Sequence, residues 1–218
     1  MSVQLNNHEC IKLKNEKLWL LPQKAIVWPK KKLLLIADLH LGKTTHFRKK
    51  GIAVPKDVPS ENWKKLHQLI KLYQPQRVCF LGDLFHSNHN KEWIVFGELI
   101  EKYSSIQFEL VLGNHDILDP KEYQKIGFKM YLESLVEKPF EFTHEPVENS
   151  IYYNLAGHLH PGVKLKGAGK QSLKAPCFFF GKNQGILPAF GSFTGLSIIK
   201  VKKDDQVFII TEDQVIPV

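Results

Sequence analysis

The stretch Lys32-Leu-Leu-Leu-Ile-Ala-Asp-Leu-His-Leu-Gly-Lys43 decides how this chain is read. Its apolar part, Lys32–Ala37, has the length of a buried strand, and Asp38 and His40 follow where such a strand ends. The same grammar recurs three times. Arg77–Leu81 runs into Gly82-Asp83, Gln107–Leu112 into Gly113-Asn114-His115-Asp116, and Ile151–Ala156 into Gly157-His158-Leu159-His160. Between the first two, Trp63, Leu66, Ile70 and Tyr73 are spaced by three and four, one face of a helix begun near Pro59-Ser60. Lys91–Tyr103 reads as a second helix. The resulting β-α-β-α-β alternation places the first three segments beyond the carboxyl ends of strands, where open α/β sheets form ligand crevices.

Outward from this core the pattern changes. Glu9–Lys14 and Lys17–Leu21 read as a hairpin around Asn15-Glu16, followed by a short strand at Ala25–Trp28. Beyond a short helix at Lys121–Ile126, helical periodicity nearly vanishes. Strand-like pieces succeed one another at Lys129–Leu132, Leu135–Thr143, Ile151–Ala156, Val163–Lys166, Pro176–Phe180, Gly185–Ala189, Leu196–Val201 and Val207–Thr211. An α/β half followed by a β-rich half predicts two stacked sheets with helices outside. No repeat or Pro/Gly/Ser linker divides residues 1–218, so one domain is expected.

With 43% hydrophobic and 11% aromatic residues the chain can bury a real core. No apolar run approaches the ~18–20 residues that span a bilayer, and Met1–Lys17 lacks the apolar centre of a secretory signal. Three scattered cysteines, Cys10, Cys79 and Cys177, show neither zinc nor redox spacing. A reducing, cytoplasmic location without membrane attachment is expected. The net charge of +8 is unevenly placed: Asn149 to Lys203 contains no Asp or Glu but eight lysines. Lys43, Arg48, Lys49, Lys50 and Lys56 form a second basic stretch. Both flank ligand-like segments and suit either a rim that draws in a polyanion or a solvated surface.

The chemistry lies in the four segments and in His144, which stands between the last two. Asp38 and His40, two apart, can chelate one ion from a strand end. A carboxylate such as that of Asp83 has two oxygens and can bridge two cations; imidazole cannot. Asn114 offers a neutral oxygen, His115 a proton or a phosphate contact, and His158 and His160 two more imidazoles. Singly, each segment is an ordinary turn or solvated loop. Jointly they gather more carboxylates and imidazoles than a core tolerates without metal. A mixed nitrogen and oxygen set without thiolate favours manganese, iron or zinc.

These segments resemble the calcineurin-like metallophosphoesterase superfamily, whose signature runs D-x-H, G-D, G-N-H-[DE], a lone H, then G-H-x-H. The resemblance implies a four-layer α-β-β-α sandwich, two stacked mixed sheets flanked by helices. It implies two divalent ions, one taken by Asp38, His40, Asp83 and His160, the other by Asp83, Asn114, His144 and His158. Between them a shared water would be ionised to attack phosphorus. His115 would meet the phosphate and protonate the leaving oxygen, with Asp116 orienting it. His86 stands where many members carry a second Asp, and its role is open.

Asp38-Leu-His-Leu-Gly-Lys43 with Phe47-Arg48, Gly82-Asp-Leu-Phe-His-Ser87, Pro176-Cys-Phe-Phe-Phe180 and Leu187-Pro-Ala-Phe-Gly191 is similar to the bacterial metallophosphoesterases associated with DNA ligase and a helicase. That similarity covers most of residues 25–200. It implies a manganese-preferring phosphodiesterase or endonuclease on single-stranded DNA in the DNA damage response, working with a ligase and helicase. Lys43, Arg48, Lys50 and His86 are then candidate substrate contacts, with Phe47 and Phe193 stacking on bases or packing. The rival is a small-molecule hydrolase of the same superfamily, a nucleotide-sugar lipid pyrophosphatase or a cyclic-nucleotide esterase. A lipid enzyme calls for an apolar lid, and no helical apolar insertion separates the segments. A non-catalytic scaffold would have lost ligands or His115, yet all are present.

Overall fold

The computed structural model describes residues 7–42, 58–85, 91–167, 171–192 and 194–218. Strands β1 (Glu9–Leu13), β2 (Glu16–Leu21), β3 (Ala25–Trp28) and β4 (Leu33–Ile36) form an antiparallel meander. Strands β5 (Arg77–Leu81), β6 (Gln107–Val111) and β7 (Phe128–Tyr131) then add in parallel. The first sheet thus runs β1 to β7 in chain order. Its opening hairpin turns on Lys14 (φ +49°) and Asn15 (φ +66°), one residue earlier than expected. Two successive left-handed residues match the twist of the flanking strands.

Among the described residues three helices cross over between the parallel strands: α1 (Val58–Tyr73), α2 (Lys91–Lys102) and α3 (Pro120–Lys125). Proline opens α3, and the Asp119 side chain accepts from Lys121 N at 2.8 Å as its cap.

The second sheet has the order β14-β11-β12-β13-β10-β9-β8, with β15 and β16 attached beside β12. Its strands are β8 (Ser134–Glu137), β9 (Phe140–Thr143), β10 (Tyr153–Ala156), β11 (Pro161–Lys166), β12 (Ser172–Phe180), β13 (Gln184–Ile186), β14 (Ser197–Ile198), β15 (Gln206–Ile210) and β16 (Val215–Pro217). Strands β9, β10 and β13 are parallel, and the remaining pairs are antiparallel except β11 with β14.

Strand β4 shows why the layers stack. All four of its residues are buried. Leu34 and Ile36 pack with Leu66, Leu69 and Ile70 of α1 and Phe96 of α2. Leu33 and Leu35 face Phe140, Phe142, Leu155 and Phe178 of the second sheet. A strand covered on both faces reads as a continuous apolar run. The two stacked mixed sheets are as expected. Among the described residues, the helices pack on the outer face of the first sheet. On the outer face of the second, Val163, Ala175, Cys177, Val207 and Ile209 form a small cluster against Phe179 and Ile199.

Inside the sandwich, Glu109 is fully buried. Arg77 donates to it (Nε–Oε2 3.0 Å) and to Glu137 (2.6 Å), while Gln107 and Tyr131 donate to Oε1. Removing one partner of such a pair strands a buried charge at about 3–5 kcal/mol. Arg77→Met is therefore expected to lose about that much in urea unfolding, and a further Glu109→Met to restore most of it.

Among the described residues no helix is long and apolar enough to cross a membrane.

Candidate metal centre

All five ligand-like segments leave the carboxyl ends of parallel strands: Asp38 after β4, Asp83 after β5, Asn114 after β6, His144 after β9, His158 and His160 after β10. The sheets meet here. Ala37 bridges to Ala189, and Phe190 N and Gly191 N donate to the carbonyls of Ala37 and Asp38. Each sheet alone offers an incomplete half-set of donors.

The backbone is strained where the donors sit. Asp38 (φ +53°), His40 (+50°), Asp83 (+50°), His158 (+65°) and His160 (+47°) all adopt left-handed conformations. Each costs about 1 kcal/mol or more, and such residues persist only where surroundings over-determine them. Pairing carried past the strand ends supplies that constraint: Asp38 N, His40 N and Leu41 N donate to the carbonyls of Gly82, Asp83 and Leu84. Gly82 (φ +75°) packs so tightly on the His144 ring that an added Cβ would collide with Nδ1. Only glycine brings these two loops together.

The donors fall into two groups. In the first, His160 Nε2 lies 3.4 Å from Asp38 Oδ1 and 3.3 Å from His40 Nε2, and His40 Nε2 lies 3.8 Å from Asp83 Oδ2. In the second, His144 Nε2 lies 2.9 Å from Asn114 Oδ1, 3.1 Å from His158 Nδ1 and 3.4 Å from Asp83 Oδ1. Asp83 thus turns one oxygen to each group. Asp38, His40, Asp83 and His144 are all buried, whereas His158 and His160 are half-buried and Asn114 exposed.

This donor set fits cations. His144 Nδ1 sits 3.0 Å from the Leu81 carbonyl, which can only accept, so Nδ1 carries a hydrogen and Nε2 is the nitrogen turned toward Asn114 Oδ1 and Asp83 Oδ1. Lone pairs converging at such distances repel unless a positive ion stands among them. Asp38 Oδ1, fully buried, has no hydrogen-bond partner among the described residues. Its other oxygen accepts from His158 N at 2.9 Å. Proximity alone also groups Asp38 with Asp83 and His144. The 4.0 Å approach of His144 to Asp38 Oδ1, however, is made by Nδ1, the nitrogen already engaged by Leu81.

His115 stands at the rim with 44% of its side chain exposed, Nε2 4.0 Å from Asp83 Oδ2 and its ring 5.8 Å from that of His40. Its backbone N donates to Asp83 Oδ1 at 2.9 Å. Asp116 beneath it is buried and accepts from Gly113 N, Phe85 N and Tyr123 OH, stapling the third segment to the second. Burial pushes its carboxyl up to about 6, against the opposing pull of the two backbone donors.

One residue near the site escaped sequence reading. Lys65 of α1 lies half-buried, its Nζ 2.7 Å from the Phe190 carbonyl and 3.7 Å from the centre of that ring. It thereby holds the segment that meets Ala37 and Asp38. Its signal was a lysine beside Asn62, Leu66 and Leu69 on the buried helix face. Burial, with Lys24 nearby, pulls its ammonium down to about 7. An unfolded lysine keeps its proton to about pH 10, so between pH 7 and 10 unfolding takes up a proton and stability rises with pH. Urea midpoints of wild type should climb over that window relative to Lys65→Met.

The expected substrate contacts Lys43, Arg48, Lys50 and His86, and the aromatics Phe47 and Phe193, lie outside the described residues. Residues 31–180 match the model of the calcineurin-like phosphoesterases. The structure of Pseudomonas putida nuclease MPE matches with TM-score 0.82 and 27% identity, covering 97% of this chain and 100% of that chain. YfcE, a phosphoesterase from E. coli, matches at 15% identity and TM-score 0.46 over 85% of this chain and 97% of that chain. AQ665, a protein of unknown function from Aquifex aeolicus, does so at 20% and 0.40, over 59% and 78%. The latter two likenesses are too distant to bear on function. None of the curated proteins matches this sequence significantly.

Proposed function

This chain belongs to the calcineurin-like phosphoesterase family, a metal-dependent phosphoesterase, and on that premise we propose that it is an endonuclease cleaving phosphodiester bonds in single-stranded DNA. The observation that carries this reading is the carboxylate of Asp83, with one oxygen toward the Asp38, His40 and His160 donors and the other toward Asn114, His144 and His158. Asp38, His40, Asp83 and His160 would hold one divalent ion, and Asp83, Asn114, His144 and His158 the second. Manganese suits this nitrogen and oxygen set, with iron and zinc as the other candidates. When bound, two such ions would lower the pKa of a water between them and screen the charge that grows on the nonbridging phosphate oxygens.

The rest falls to the protein. The His144 Nδ1–H bond to Leu81 keeps the Nε2 lone pair aimed into the centre. The half-exposed His115 ring reaches the leaving oxygen and donates its proton there. Asp116 keeps His115 in place through the loop that both share. Residues 1–218 act as one domain, since the donors are drawn from both sheets. Likeness to a nuclease over nearly the whole chain supports a nucleic-acid substrate, and the narrower motif resemblance extends this to cytoplasmic work beside a ligase and a helicase. Lys43, Arg48, Lys50 and His86 are assigned to substrate contacts on that resemblance alone.

The test is metal-reconstituted protein offered a phosphodiester reporter, a phosphomonoester reporter, and single- and double-stranded DNA. Cleavage of the diester and of single strands is expected. Brisk turnover of a nucleotide-sugar diphosphate with no cleavage of any nucleic acid would overturn the assignment.

A further inference from the structure

The lysine-rich, acid-free tract does not form one surface. Strand β12 runs antiparallel to β13, which is parallel to β10, so its first residues lie at the metal-centre pole and its last at the far pole. Lys182, just beyond β12, shares a far-pole cavity with Asp204 and Asp205. Lys164 and Lys174 are at the near pole, on the ribbon made by β11 and β12. They are directly opposed: the register pairs Gly162 with Pro176, Lys164 with Lys174 and Leu165 with Leu173. Both lysines are exposed.

Two ammonium groups facing each other across a ladder repel, a cost that unlike or neutral pairs avoid. The face they occupy follows from the period of two. Phe178 and Phe180 point into the space between the sheets, while Ala175 and Cys177 point to the outer cluster. Lys174, and Lys164 opposite it, therefore continue the face that looks toward the first sheet, from whose strand ends Asp38, Asp83 and Asn114 project. His160 immediately precedes β11, so Lys164 stands about 13 Å further along an extended strand.

Resting on the nucleic-acid reading above, we propose that Lys164 and Lys174 form a phosphate-binding track that receives a single-stranded polynucleotide backbone as it leaves the metal centre. The bound chemistry is the phosphodiester chain itself. A pair of ammonium groups neutralises successive phosphates without reading bases, so DNA and RNA strands engage it alike. The mutual repulsion of the two lysines is relieved when the polyanion lies between them.

The test compares wild type, the double variant Lys164→Gln/Lys174→Gln and the far-pole control Lys182→Gln. Each is loaded with manganese and assayed on oligothymidylate, oligouridylate and a small diester reporter across a salt series. On oligonucleotides the double variant is expected to lose about tenfold in kcat/KM at 0.15 M salt. Its dependence on log[salt] should flatten by about 1.4, about 0.7 for each phosphate that is no longer neutralised. Reporter turnover should stay within about twofold, and Lys182→Gln should match wild type throughout. An unchanged salt slope in the double variant, or an equal loss on the reporter, overturns the track while leaving the nuclease assignment intact. Wild type that hydrolyses the reporter but neither oligonucleotide overturns both.

Discussion

Asp83→Ala is expected to abolish binding of both ions and with it nearly all turnover. The residue turns one oxygen to each donor group, so each group loses an anionic member when the carboxylate goes. What remains around His144 is imidazole and amide, a weak set for a hard divalent cation. The alanine variant also loses the acceptor for His115 N; Asp83→Asn keeps an oxygen there and separates the two effects. Thermal unfolding gives a second readout. A ligand at a hundred times its Kd adds about 2.7 kcal/mol to stability, about 5–10 °C for a chain of this size. Wild type should show that rise on adding manganese and Asp83→Asn should not. Its metal-free form should unfold no earlier than wild type, since a buried carboxylate near Asp38 has been neutralised. Metal analysis finding Asp83→Ala fully loaded would remove the bridging assignment.

His115→Ala is expected to keep its metal and lose about 10²–10⁴ in turnover, the usual worth of a positioned proton donor. The side chain is half-exposed, and its substitution leaves the backbone N–H to Asp83 in place. The loss should depend on the leaving group. A nitrophenolate departs without help, so the variant should recover most of its rate on nitrophenyl diesters while remaining slow where an alkoxide must leave. Equal losses on both would mean that His115 serves the phosphate rather than the proton. Asp116→Asn should behave differently. It disturbs the acceptors for Gly113 N and Phe85 N, so a lowered unfolding midpoint should accompany any loss of rate.

Strain and function coincide in this centre. Five donor residues occupy left-handed backbone conformations, and their carboxylates and lone pairs converge. Both costs are borne by the surrounding ladders: β4 and β5 extend their pairing through the Asp38 and Asp83 segments, and Gly191 N closes on the Asp38 carbonyl. A cation stabilises only the arrangement in which these groups already face one another, which is why manganese is expected to raise the unfolding temperature.

The features legible in the chain before folding are local ones. The strand Arg77–Leu81 and the helix through Trp63, Leu66, Ile70 and Tyr73 stand where periodicity put them, because a half-buried helix and a buried strand each impose their own spacing. The ligand-like segments were legible for the same reason, each lying just behind an apolar run. Elsewhere local pattern was not enough. Leu135–Thr143 divides into the β8–β9 hairpin, β12 begins four residues earlier than its apolar run suggests, and Val215–Pro217 becomes a strand because Phe208, Ile209 and Ile210 offer it an edge. Pairing of that kind depends on a partner distant in the chain. The same holds for the centre. Only the tertiary structure set the two oxygens of Asp83 between His40 and His144, tied Lys65 to Phe190, and opposed Lys164 to Lys174. Those relations arise where two sheets meet, and no window of sequence contains both sides.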